Sequence, residues 1–170
     1  MIRRIVYQGD LAIPSGEDII VIDSGCDQSI INNKFVITAN TGVFYKVDGA
    51  LQGRMSSNSL FEVVNGYTLI SLRDGRKFII HINQALHDQN PHQTEALLQP
   101  HQCRAHDIAV DDCSLRHRDF YGKQGNQALK AADHILPLHY DGWKTYFTCS
   151  LPTPEDYDSY PHIELTSPLP

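Results

Sequence analysis

Apolar residues in this chain fall in short runs separated by turn residues, and that pattern predicts strands rather than helices. The densest run, Ile19-Ile20-Val21-Ile22, has no polar alternate, as expected of a strand covered on both faces. It leads directly into Asp23-Ser24-Gly25-Cys26-Asp27. Ahead of it, Ile2, Ile5, Val6 and Tyr7 mark a first strand within residues 1–11, and residues 13–18 form a polar turn. Behind it, Ile30-Ile31 and Phe35 to Thr38 flank the turn signal Asn32-Asn33-Lys34. A turn at Asn40-Thr41-Gly42 and a strand over Val43 to Val47 follow, closed by Asp48-Gly49. Residues 52–59 are polar and read as a loop.

The clearest hairpin pairs Tyr67 to Leu72 with Lys77 to Ile82 around Arg73-Asp74-Gly75-Arg76, because Asp-Gly between two β-rich arms favours a tight turn. Residues 84–96 are polar and histidine-rich, which predicts a loop, and Ala96-Leu97-Leu98 restarts the apolar pattern. Pro100 suits the first turn of a helix running to about His106. Ile108-Ala109-Val110 is a strand stopped by Asp111-Asp112. Ile135 to Tyr140 and Trp143 to Cys149 form a second hairpin around Asp141-Gly142, with Pro137 assigning its strand to a sheet edge. From Leu151 onward five prolines and several acids predict a linker or tail without regular packing.

An apolar strand ending in Asp-Ser-Gly fixes a carboxylate at a rigid edge, beside a hydroxyl and a glycine N–H able to point at it. Asp-Ser-Gly is also an ordinary turn sequence, so the tripeptide alone leaves both readings open. With the run before it and Asp27 after it, the segment resembles the active-site strand of the retropepsins, the aspartic proteases of retroviruses and retrotransposons. Asp23, Ser24, Gly25 and Asp27 match that pattern, and Cys26 stands where alanine is usual. Many retropepsins carry Ile-Leu-Gly-x-Asp where this chain has Ala96-Leu97-Leu98-Gln99. Leu97-Leu98-Gln99-Pro100-His101-Gln102-Cys103-Arg104 is similar to the protease region of copia-type and related retrotransposon polyproteins, and the Pro152 to Pro168 stretch resembles the junction that precedes integrase in them.

The resemblance implies a mostly β, retropepsin-like closed barrel or sandwich over residues 1–110, with a flap hairpin and one short helix. A β-rich extension over 111–150 and a Pro-rich acidic tail over 151–170 would follow. It implies an aspartic-type endopeptidase that needs no cofactor and cuts a retroelement polyprotein, within the cytoplasm or virus-like particles. Asp23, Ser24 and Gly25 would be the catalytic segment: Asp23 the acid or base, Ser24 a bond across the two-fold axis, the Gly25 N–H a support for the carboxylate. Asp27 would bind substrate backbone, or else stand as a solvated turn acid. The chain has a single Asp-Ser-Gly and no internal repeat, so a site with two carboxylates requires a homodimer. The flap would be the hairpin from about Val63 to Ile82, with Arg73 to Arg76 at its tip, or else that hairpin is a structural part of the sheet.

Two other readings stay open. One is a catalytically inactive protease-like fold serving as a dimerisation scaffold, since fold does not guarantee chemistry. The other is a zinc module built on His101, Cys103, His106 and Cys113, with His87, His92 and His117 flanking them. A net charge of −6 and the lack of a basic cluster argue against direct nucleic-acid binding. No apolar run approaches a membrane span and the N-terminal residues lack a signal core. Cys26, Cys103, Cys113 and Cys149 are sparse and irregular, which points to free thiols in a reducing, cytoplasmic compartment. Cys26 reads as a small apolar residue or as a redox brake.

Overall fold

A computed structural model describes residues 17–47, 60–112, 127–141 and 144–170. The strand expected within residues 1–11, the loop at 52–59, Asp48-Gly49, Cys113, His117 and the Gly142-Trp143 turn lie outside the described residues. Among the described residues, twelve strands and two short helices run in the order β1 (Asp18–Ile22), β2 (Ile30–Ile31), β3 (Val36–Lys46), β4 (Leu60–Ser71), β5 (Lys77–His87), β6 (Glu95–Leu98), α1 (Pro100–Ala105), β7 (Ala109–Asp111), β8 (Ala128–Ala131), β9 (His134–Pro137), β10 (His139–Tyr140), β11 (Thr145–Ser150), α2 (Pro154–Ser159) and β12 (His162–Glu164).

Six strands close into a barrel. The ring runs β11-β1-β6-β2-β5-β4 and back to β11 through the pairing of Thr148, Cys149 and Ser150 with Ser71, Ile70 and Leu69. Closure removes the unpaired edges an open sheet would present. Ile20, Ile22, Ile70, Ile80, Ile82, Leu98 and Phe147 share its main core. The alternate residues of β1, Ile19 and Val21, are buried on the other face with Tyr146. The uninterrupted run of the sequence therefore has apolar partners on both sides.

One feature of the topology sets the site. β6 lies between β1 and β2, parallel to the first and antiparallel to the second. The two strands that flank residues 23–29 are thus held apart by a third, and α1 follows that third strand after one residue.

Several expectations change. The Asn40-Thr41-Gly42 turn is a bulge inside one long strand: Asn40 faces Val64 and Phe44 faces Glu62, leaving three residues of β3 opposite one of β4. The Glu62 carboxylate closes the bulge by accepting from the Asn40 side chain at 2.7 Å and the Gly42 N–H at 3.1 Å. The loop expected from residue 84 begins later, because β5 continues to His87. It does so past an irregularity at Gln84, whose N–H is taken by the Asn65 side chain at 2.9 Å.

The Arg73–Arg76 turn forms where expected but is no free flap tip. The Arg76 guanidinium donates to the Ile135 carbonyl at 2.7 Å and the Arg73 N–H to Pro137 O at 3.5 Å. Both strands behind the turn are largely buried, so this hairpin is a wall of the barrel. The arm that leaves large apolar groups uncovered is the other one: Val43, Phe44 and Tyr45 of β3 and Leu60 of β4 are all about half exposed or more.

The divisions expected at residues 110 and 150 do not separate structural units. β11, from the presumed extension, is hydrogen-bonded to β1 along Asp18–Val21 and completes the ring. Leu129, Leu136 and Leu138 join the same core. β7, β8 and β9 form a small second sheet with Pro137 at its outer strand, the edge position expected for it.

The tail is also ordered. Thr153 caps α2 by accepting from the Asp156 N–H at 3.1 Å, and the Asp156 carboxylate accepts from the Thr153 N–H at 2.8 Å, with Pro154 in the first turn. These bonds hold the Asp156 carboxyl below its usual value. β12 then pairs in parallel with Ile79–His81 of β5, burying Ile163, Leu165 and Thr166.

At Gly66, a Cβ would lie 3.1 Å from both the Val36 carbonyl and the Ile31 Cδ1. Gly66→Ala is therefore expected to destabilise the fold by about 1–3 kcal/mol, read as a lower urea midpoint. His162 Nε2 faces the Tyr157 carbonyl at 2.7 Å and so carries the proton, leaving Nδ1 to accept from His81 Nε2 at 3.0 Å. Burial and the neighbouring His162 lower the His81 pKa, against a smaller upward pull from Glu164. Because the unfolded chain takes up that proton first, His81 contributes stability above its unfolded value of about 6.5 and loses it as pH falls through and below that value. Urea midpoints should drop from pH 7.5 towards 5, and His81→Gln should flatten the slope.

Candidate functional site

β1 delivers Asp23 to the end of a buried strand, and the Asp23 N–H extends the β1–β6 ladder by donating to Leu98 O at 3.1 Å. Asp23 is half-buried, whereas Ser24, Gly25 and Asp27 are exposed. The Gly25 N–H donates to Asp23 Oδ1 at 2.7 Å, a short bond of the kind made to a charged acceptor. A Cβ on residue 25 would stand 3.1 Å from that same oxygen, so only glycine lets the backbone come this close without displacing the carboxylate.

Cys26 donates from its thiol to the Asp23 carbonyl at 3.0 Å. Burial, and then the nearby Asp23 charge, push the Cys26 thiol up to about 11. A thiol raised this far stays neutral near pH 7 and is a weak nucleophile.

The loop is held from behind by residues that sequence reasoning did not single out. Gln99 Nε2 donates to Cys26 O at 2.7 Å, and the Gln99 N–H donates to Ser29 Oγ at 2.9 Å. Gln102 Oε1 accepts from the Ser29 N–H at 2.7 Å, while Gln28 and Gln102 both donate to the Gln84 carbonyl at 2.6 and 3.1 Å. Gln99 also caps α1 by accepting from the His101 N–H. The available signal was Gln99 placed directly before Pro100, a cap position.

Among the described residues, the histidines and cysteines of the expected zinc module do not come together. Cys103 is fully buried in the barrel core and its thiol is pushed up to about 12 by burial, whereas His101 is exposed. Among the described residues no three His, Cys, Asp or Glu side chains gather as metal ligands. Also among the described residues, no helix is long and apolar enough to cross a membrane.

Taken together, the chain is a closed six-stranded β-barrel protein that presents one anchored carboxylate on an open loop. Comparison with protein-family models, with curated proteins and with solved structures gave no match.

Proposed function

We propose that this chain is an aspartic endopeptidase of the retropepsin kind, active as a homodimer, which cuts a polypeptide such as a retroelement polyprotein. The observation that carries the reading is the Asp23 carboxylate, fixed where β1 ends and supported by the Gly25 N–H on a loop open to solvent. The insertion of β6 between β1 and β2, with α1 behind the loop, supports a retropepsin-like barrel as the finer description of the fold.

In the dimer, two copies of Asp23 face each other across a two-fold axis. Two carboxylates at hydrogen-bonding distance share one proton, because both cannot remain ionised so close together. The ionised member takes a proton from the attacking water and the protonated member polarises the peptide carbonyl, with titration belonging to the pair. Ser24 bonds across the axis, and the exposed Asp27 meets the substrate backbone. The closing arm is the hairpin of β3 and the first part of β4, whose uncovered Val43, Phe44, Tyr45 and Leu60 suit a peptide-gripping or partner-facing surface.

The test pairs sedimentation of the purified chain with cleavage of a peptide library, with and without a statine-type inhibitor. The expected result is a dimer whose cleavage the inhibitor stops. A dimer that cleaves nothing favours the scaffold reading, and a strict monomer removes both.

A further inference from the structure

The loop that carries Asp23 is exposed along Ser24, Gly25 and Asp27, yet its backbone has only a few fixed attachments. Two bonds, from Gly25 N–H and from Cys26 Sγ, are internal to the loop. Asp23 N–H to Leu98 O ties its start to β6. Gln99 supplies the next strap, at the loop's midpoint, through Nε2 to Cys26 O at 2.7 Å. Gln99 is only 5 % exposed, so neither end of its amide can exchange protein partners for bulk water.

The two ends of that amide do different jobs. Its oxygen caps α1, a task any acceptor at this position performs. Its nitrogen serves only the Cys26 carbonyl, three residues past the carboxylate. We infer that Gln99 is a positioning residue: its side-chain N–H₂ locks the Asp23 loop to the start of α1 and so fixes the aim of the Asp23 carboxylate. The kinetic part of this inference rests on the protease reading; the structural part does not.

Gln99→Glu separates the two jobs. The glutamate keeps the length and the acceptor for the His101 N–H. When ionised it has no donor for Cys26 O, and when protonated it regains one O–H. Amide hydrogen exchange at Asp23 and Gly25, with Ile70 and Ile80 of the barrel wall as internal references, reads the strap directly. In Gln99→Glu the loop amides should exchange roughly tenfold faster than wild type at alkaline pH, the factor expected for one lost buried hydrogen bond, and return towards wild type as pH falls. Gln99→Met, which has no donor at any pH, should stay fast throughout. With peptide substrate, kcat of Gln99→Glu, taken as a ratio to wild type at the same pH, should be at least tenfold lower near neutral pH with KM nearly constant, and that ratio should recover on acidification.

Loop exchange equal to wild type in both variants overturns the assignment. So does acceleration that appears equally at Ile70 and Ile80, since Gln99 would then hold the whole fold and not the loop. If wild type cleaves nothing, the protease reading fails and the exchange result alone judges Gln99.

Discussion

Asp23→Asn should lower the rate of peptide cleavage by about two to four orders of magnitude, the range expected when a general acid–base group is removed. The substitution is nearly isosteric. The asparagine oxygen still accepts from the Gly25 N–H that Asp23 Oδ1 engages at 2.7 Å, so loop and barrel should keep their form. What is lost is the exchangeable proton, and a symmetric dimer loses it from both halves at once. Thermal midpoint and sedimentation should be close to wild type while turnover collapses. Mixing equal amounts of wild type and variant, with free subunit exchange, should leave about a quarter of the activity, because only wild-type pairs retain both carboxylates. Activity that falls only in proportion to the added variant, to about half, would mean that each chain works alone and would remove the shared dyad. Cleavage that survives Asp23→Asn at wild-type rate would remove Asp23 from the chemistry.

Phe147→Ala should cost about 3–5 kcal/mol of folding stability, against a total of about 5–15 kcal/mol for a typical domain. Phe147 is fully buried and sits opposite Ile20 in the register of β11 with β1. The following residues of β11, Thr148 to Ser150, pair with β4 and close the ring. The cavity left by the ring would open where the barrel is sealed, directly behind the strand that carries Asp23. A urea titration reads the loss as a lower midpoint, and exchange at Ile20 and Val21 should rise with it. A loss below about 1 kcal/mol would mean that residues 111–150 are an appendage after all, since a large buried aromatic in a sealed core does not come out so easily.

Local signals in the sequence were accurate wherever a short segment decides its own conformation. The Asp74-Gly75 turn, the run Ile19 to Ile22, the helix after Pro100 and the edge placement of Pro137 all follow from turn chemistry, apolar spacing and the missing proline N–H. The tail was misjudged because prolines and acids were read as composition. Thr153-Pro154-Glu155-Asp156 is a helix start by position, with a hydroxyl cap, a first-turn proline and an acid reaching back. The Asn40-Thr41-Gly42 segment holds turn residues, but Glu62 across the sheet turns it into a bulge. No local rule contains that residue.

The candidate site divides the same way. Asp23, Ser24, Gly25 and Asp27 were readable because they are contiguous. Gln99, Gln102, Ser29 and Gln84 were not, because they meet the loop only after β6 has slotted between β1 and β2.

By itself, then, the sequence determined that this chain is mostly β, that one strand is apolar on both faces, and that it ends in a carboxylate with a glycine two residues on. Those properties depend on neighbours along the chain. Tertiary structure alone decided that β11 closes a barrel, that the 151–170 segment lies on β5, that the Arg73–Arg76 hairpin is a wall, and that a glutamine holds the carboxylate's loop. Each of these depends on pairings between residues tens of positions apart, chosen by which apolar faces can be buried together, and no short window of sequence records that choice.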